Sequence, residues 1–144
     1  MSKVVIDASV AMKWAFPDVH EELTDVAADL LRNYVDRAIQ IAVPDIFWAE
    51  LGNISWKGVR QGRWTGALAE AAVSEMQSRR FPTMPSKVLL SDALHIALDC
   101  DRSVYDSLYV ALAVSTKAQL ITADQRLANA TAARFPVKWL GAVN

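Results

Sequence analysis

Apolar positions along the chain alternate between short runs and longer periodic stretches. Val4-Val5-Ile6 is a β-branched run closed by Asp7 and predicts a buried strand. Asp18, with Glu21 three residues on, has the form of a capping box. Leu23, Val26, Ala27, Leu30, Leu31, Tyr34 and Val35 then recur at the helical period. The pattern assigns no element to the residues between Asp7 and Asp18. Ile41-Ala42-Val43 predicts a second strand, ended by Pro44. Helices are predicted over about 45–59, with Gly58 and Gly62 marking the end, and from Thr65 to about residue 79. Pro82 and Pro85 make 81–86 a loop. The run 87–90 predicts a third strand, after which Ser91 caps a helix over 92–99. Ser103 caps another helix over about 104–116. A fourth strand at 119–121, a short helix to about residue 133 and a final strand at 137–140 complete the series. Strands alternating with helices predict an α/β fold, a parallel sheet of about five strands with helices on both faces. Such sheets bind ligands outside the carboxyl ends of their strands.

Composition narrows the chemistry. A chain of 144 residues is the size of one domain, taken as 1–144. With 53% hydrophobic and 22% charged residues it has ample material for a core, which excludes a disordered chain. The net charge of −1 argues against whole-surface attraction to nucleic acid and leaves room only for a local basic patch. The single cysteine, Cys100, excludes an internal disulfide and a cysteine-rich zinc site. With only His20 and His95 present, any metal chemistry falls to carboxylates. The first apolar run stops at Asp7, too soon for a signal-peptide core, and no stretch of about 18 apolar residues follows. A cytoplasmic protein with no membrane partner is the expectation.

Four acids stand where acids are unfavourable. Asp7 ends a buried apolar strand. Glu50 shares a helical stripe with Ile46, Phe47 and Ile54. Asp106 lies in the first turn of a helix that is apolar nearly all round, from Leu108 to Val114. Asp124 follows the fourth strand. Each also has a structural reading. Asp106 completes a capping box with Ser103, and Asp124 lies in a helical first turn after Thr122. Asp7 accepts backbone hydrogen bonds in a strand-to-helix turn, and Glu50 pairs with Lys57 or Arg60. The order and spacing of the set, rather than any one member, carry the functional reading. Clustered carboxylates repel one another unless a cation neutralises them. Oxygen-only ligation suits Mg²⁺ or Mn²⁺ and, with them, phosphodiester hydrolysis. No glycine-rich phosphate loop or dinucleotide fingerprint is present.

Val4-Val-Ile-Asp7-Ala-Ser9, Pro44-Asp-Ile-Phe-Trp-Ala-Glu50, Tyr105-Asp106-Ser-Leu-Tyr-Val-Ala-Leu-Ala113 and Leu120-Ile-Thr-Ala-Asp124 together resemble the four motifs of a PIN-domain ribonuclease. At this size the chain is most similar to the VapC-type toxins of toxin–antitoxin pairs. The resemblance covers essentially the whole chain. It implies a three-layer α/β/α fold, Mg²⁺ or Mn²⁺ as cofactor, RNA as substrate, a homodimer and a cognate antitoxin. Carried over by position, Asp7, Glu50, Asp106 and Asp124 match the catalytic, metal-holding quartet, and Ser9 and Thr122 match the polar positions that support it. Asp92-Ala-Leu-His-Ile-Ala-Leu98 is similar to Asp106-Ser-Leu-Tyr-Val-Ala-Leu112 and offers a second candidate aspartate. Asp92 needs an extra helix before Asp124, so it is assigned to the first turn after Ser91.

Other residues are less specific. Lys13, Lys57, Arg60 and Arg63 are candidates for guiding RNA phosphates or for plain solvated surface. Trp14, Trp48, Trp56 and Trp64 suit either an antitoxin or dimer groove or the core. His95 reads as an ordinary helix residue and Cys100 as a packed thiol. Two alternatives stand beside the nuclease: a receiver-like α/β signalling module and a PIN fold used only for binding. The receiver expects adjacent acids after the first strand, where this chain has Asp7 alone.

Overall fold

In the computed structural model, which describes residues 2–17 and 22–143, the chain runs β1 (Ser2–Ile6), α1 (Ala8–Ala15), α2 (Thr24–Val35), β2 (Ile39–Pro44), α3 (Ile46–Arg60), α4 (Gly66–Ser78) and β3 (Thr83–Met84). It continues through α5 (Ser86–Cys100), α6 (Val104–Thr116), β4 (Gln119–Thr122), α7 (Gln125–Thr131) and β5 (Val137–Trp139), and a 3-10 turn (Leu140–Ala142) follows. The five strands form one parallel sheet in the order β3-β2-β1-β4-β5. The central strand β1 sets the register, with Val5 opposite both Ala42 and Leu120. The chain builds outward from β1 to β3, then returns to lay β4 and β5 on the other side. That reversal between β1 and β4 opens a crevice at their carboxyl ends, where such sheets bind ligands.

Hydrophobic burial explains the layering. Val5, Ile6, Val43 and Leu120 in the strands are fully buried, as a parallel sheet covered on both faces requires. α6 lies against β1, β2 and β4, and its residues from Ser107 to Ala113 are all buried. Its start is fixed as expected, Ser103 Oγ accepting from the Asp106 N–H at 3.1 Å. Thr65 likewise caps α4 by accepting from the Leu68 N–H at 3.2 Å. Among the described residues no helix is long and apolar enough to cross a membrane.

Several expectations are corrected. The run 87–90 is not a strand but the first turns of α5. Only Leu89 of its apolar residues is buried, and it continues at helical spacing into Ala93 and Ile96. Pro85 supplies the extended residue before the helix, and the Ser86 hydroxyl is tied to Asp45. Ser91 and Asp92 are therefore exposed residues inside a helix rather than its cap and first turn. The third strand lies instead in the expected loop, as the two residues Thr83–Met84 at the sheet edge. Pro82 is compatible with that edge because its carbonyl, not an N–H, is used, accepting from the Val43 N–H at 3.0 Å.

The unassigned segment after Asp7 is α1, whose buried face is Ala8, Val10, Ala11 and Lys13. Gly58 does not end α3 but lies within it. A Cβ there would come within 1.9 Å of the Trp64 ring, so the glycine permits close packing. Gly62, at φ +72°, makes the turn that follows. The expected Asp18–Glu21 capping box lies outside the described residues, and the described helix there begins at Thr24.

Candidate active site

β1 delivers Asp7 to the crevice, and β4 delivers Thr122 with Asp124 two residues on. Asp7 is the N-cap of α1 and accepts from the Val10 N–H at 3.4 Å. Its carboxylate also accepts from the Ser9 and Thr122 hydroxyls. Those two hydroxyls in turn accept from the neighbouring backbone: Ser9 Oγ from the Ala123 N–H and Thr122 Oγ1 from the Asp124 N–H, each at 3.0 Å. The polar positions expected to support the acids thus stitch β1 to the segment after β4. Asp124 is itself the N-cap of α7, accepting from the Arg126 and Leu127 N–H groups at 3.0 and 3.3 Å. It caps directly rather than lying one position inside the helix.

Glu50 comes from α3. It pairs with neither Lys57 nor Arg60 in a described ion pair. Instead its Oε1 accepts from the Tyr109 hydroxyl at 2.7 Å. Tyr109 is 2% exposed. Asp106, on the same helix as Tyr109, is paired by its side chain with Arg102 at 3.3 Å. The same guanidinium nitrogen of Arg102 lies 3.8 Å from Asp124.

The electrostatics connect the set. Burial pushes the Asp7 carboxyl up to about 6, against the hydrogen bonds from Ser9, Thr122 and Val10, and the Glu50 charge adds to the rise. Burial also raises Glu50, opposed by the Tyr109 hydrogen bond and reinforced by Asp106. Burial and the adjacent Glu50 carboxylate push the Tyr109 phenol above its ordinary range, so it stays a hydrogen-bond donor. Asp7, Glu50, Asp106 and Asp124 are therefore brought to one edge of the sheet and linked through Thr122, Tyr109 and Arg102. Among the described residues no three carboxylates stand close enough to form a ready-made metal cage. The donor set nevertheless fits a hard divalent cation. It is all oxygen, it includes a buried carboxyl that resists ionising alone, and the Asp106 and Asp124 side chains are 32% and 42% exposed, so that water can reach them. Asp92 lies exposed on α5 and makes none of these contacts.

Tyr109 and Arg102 are functional candidates that sequence reasoning missed. Tyr109 stood in plain view as the residue three after Asp106, on the same helical face. Arg102 carried no pattern signal, because its role depends on the turn between two helices. Several expected residues are structural instead. Lys13 is buried and donates to the Glu22 carbonyl at 2.9 Å, so it is neither a surface nor a free phosphate-guiding lysine. The indole N–H groups of Trp14, Trp48 and Trp64 are held by Ala27, Thr83 and Ser55, and Trp64 stacks on Phe16 at 3.7 Å. Only Trp56 of these four is largely exposed, with Arg60 over its ring. His95 pairs with Asp99 one turn away, as an ordinary helix residue does.

Comparison with known proteins defines the class. The PIN domain family model matches residues 4–133, and the chain belongs to that family. This sets aside the receiver-like alternative. The chain is 29% identical over 136 residues to Ribonuclease VapC3 of Pyrobaculum aerophilum, covering 93% of this chain and 95% of that protein. Its fold is similar to the crystal structure of PAE2754 from Pyrobaculum aerophilum, with a TM-score of 0.72 at 23% identity over 97% of this chain and 85% of that one. A toxin-antitoxin complex from Klebsiella pneumoniae gives a TM-score of 0.63 at 16% identity over 94% and 95% of the two chains. VapBC2 from Rickettsia felis, bound to a DNA fragment from its promoter, gives 0.67 at 12% identity over 95% and 98%.

Proposed function

We propose that this chain is a metal-dependent ribonuclease and the toxin of a type II toxin–antitoxin pair. One observation carries the reading: a buried aspartate at the end of the central strand, tied by hydroxyls to the segment bearing Asp124 and electrostatically coupled to Glu50. Family membership and the likeness to VapC3 support RNA as the substrate. Asp7, Glu50, Asp106 and Asp124 are the residues that would hold Mg²⁺ or Mn²⁺. When bound, such a cation activates water and stabilises charge on a phosphoryl oxygen. Ser9 and Thr122 fix the Asp7 carboxylate through both its oxygens. Tyr109 fixes Glu50 by donating its hydroxyl to the Glu50 carboxylate, which holds that carboxylate ready to share the cation.

The partners follow the same reading. A groove of about 430 Å³ between α3 and α4, lined by Trp56, Val59, Ala69 and Val73, suits an apolar segment of an antitoxin. A homodimer is supported by Leu90, Leu94 and Leu98, an exposed apolar stripe on α5. The test is cleavage of labelled RNA with and without Mg²⁺, by the wild type and by Asp7→Asn. Cleavage that needs both Mg²⁺ and Asp7 is expected. Unchanged cleavage by the variant rules out a catalytic Asp7. RNA binding without cleavage points to the binding-only PIN fold. Expression alone should arrest growth and co-expression of an adjacent reading frame should relieve it. A harmless chain that copurifies with nothing removes the toxin assignment and leaves the nuclease one standing.

A further inference from the structure

The turn between α5 and α6 places one cation among the acids. Asp101 adopts the left-handed conformation at φ 53° and its N–H bonds back to the Ala97 carbonyl. The Arg102 N–H reaches the same carbonyl at 3.3 Å, and Ser103 caps α6 at once. The Arg102 backbone is thus clamped between two helix ends. Its side chain, 24% exposed, sets one terminal nitrogen 3.3 Å from Asp106 and 3.8 Å from Asp124. Its Nε is buried without a hydrogen-bond partner among the described residues. Guanidinium binds a carboxylate best through two parallel N–H bonds. Here one nitrogen bonds Asp106 and also lies within ion-pair distance of Asp124 on a separate element, while Nε stays idle. Arg102 thus serves two acids at once rather than closing a bidentate pair with one.

We propose that Arg102 is a built-in counter-cation of the acidic site, neutralising Asp106 and Asp124 when no divalent cation is bound and raising the cation concentration needed to load the site. The inference rests on the metal-dependent reading above. Arginine cannot shed its charge in a protein, so the competition cannot be relieved by deprotonation. A divalent cation gathering Asp106 and Asp124 must compete with Arg102 for Asp106 and sit close to a fixed positive charge. Arg102 is a positioning residue in this scheme. It holds two acids together without metal and makes loading depend on how much metal is present.

The test is Mn²⁺ binding by calorimetry to the wild type, Asp7→Asn, Arg102→Gln and Arg102→Lys. Removing a unit charge a few ångströms from a divalent cation should tighten Mn²⁺ binding by Arg102→Gln about tenfold. Arg102→Lys keeps the charge and should stay near the wild type. Equal or weaker binding by Arg102→Gln overturns the proposal, as does equal tightening by Arg102→Lys. Asp7-dependent Mn²⁺ binding in the wild type separates the two readings. If it is present while Arg102→Gln binds no tighter, the counter-cation fails alone; if it is absent, the metal site fails and takes the counter-cation with it. Should Arg102→Gln misfold, the wild type still decides the matter. The NMR signal of its Arg102 Nε–H should shift during a Mg²⁺ titration with the same midpoint as binding, and a signal that does not move overturns the proposal.

Discussion

The segments 92–98 and 106–112 share Asp, Leu, Ala and Leu at matching positions, yet the fold treats them oppositely. In α5, Leu94 and Leu98 are 48% and 76% exposed. In α6, the equivalent Leu108 and Leu112 are 4% and 1% exposed. α6 lies directly on β1, β2 and β4, whereas α5 packs on α6 from outside, through Leu89, Ala93 and Ile96. The layer, not the heptapeptide, decides which aspartate meets the other acids. Being pressed on the central strands also takes Tyr109 to Glu50, while His95 at the matching position stays outside with Asp99.

The sharpest way to break this comparison is to remove matched leucines. Leu112→Ala empties a fully buried site beside the sheet and should cost about 2–5 kcal/mol in denaturant unfolding. Leu98→Ala should stay within about 0.5 kcal/mol at low protein concentration. A cost for Leu98→Ala that grows with concentration would place that face in an interface between copies of this chain.

The matched aspartates should separate next, on activity. Asp106→Asn should lower kcat/KM at least about a hundredfold, on the scale of losing several kcal/mol of metal-assisted charge stabilisation. Asp92→Asn should leave it unchanged. Equal losses would mean that α5 reaches the substrate and that the exposure of Asp92 misleads.

Ionisation sharpens the contrast from the sheet side. Asp7 keeps its proton up to about pH 6 in the fold, against an ordinary value of 3.8. The native state therefore binds more protons than the unfolded chain between those values, and stability must fall as pH rises through that window. Without metal, the wild type should lose about 2–3 kcal/mol relative to Asp7→Asn between pH 4 and 7. Mg²⁺ at neutral pH should restore the wild type and leave the variant unmoved. Chemical unfolding of both proteins at several pH values, with chelator or with Mg²⁺, checks the sign.

Much of this was legible in the chain itself. Val4-Val5-Ile6 and the apolar surround of α6 advertised their burial, and the four acids stood beside recognisable caps and strand ends. The failures share a cause. The run 87–90 has the apolar content of a strand, but content alone does not distinguish a short buried strand from the start of a helix; the helical spacing of Leu89, Ala93 and Ile96 settles it. Thr83–Met84 is a strand only because β2 lies beside it. α1 spans only eight residues, several of them alanine, too few to display the helical period plainly. The contacts of Arg102 with Asp106 and Asp124 depend on a left-handed turn at Asp101, a non-glycine residue that no turn signature announces.

The smallest effect tests the hydroxyl that distinguishes Tyr109 from its counterpart His95. That hydroxyl joins two elements: it grows from α6 and donates to Glu50 on α3. Tyr109→Phe keeps the ring that fills the core and removes only the oxygen. Glu50 then loses the donor that orients it and that opposes its raised proton affinity, so its carboxylate should hold protons more tightly still. Loss of an orienting partner of this kind costs 10–100-fold in metal affinity or activity. Because Glu50 keeps its place on α3, Tyr109→Phe should fall at the lower end, about tenfold in kcat/KM. The acid limb of its pH–rate profile should move to higher pH, which a merely loosened core would not produce. His95→Phe should change neither rate nor profile. If Tyr109→Phe cleaves RNA at the wild-type rate with an unmoved profile, the Tyr109–Glu50 bond holds helices together and has no part in the chemistry.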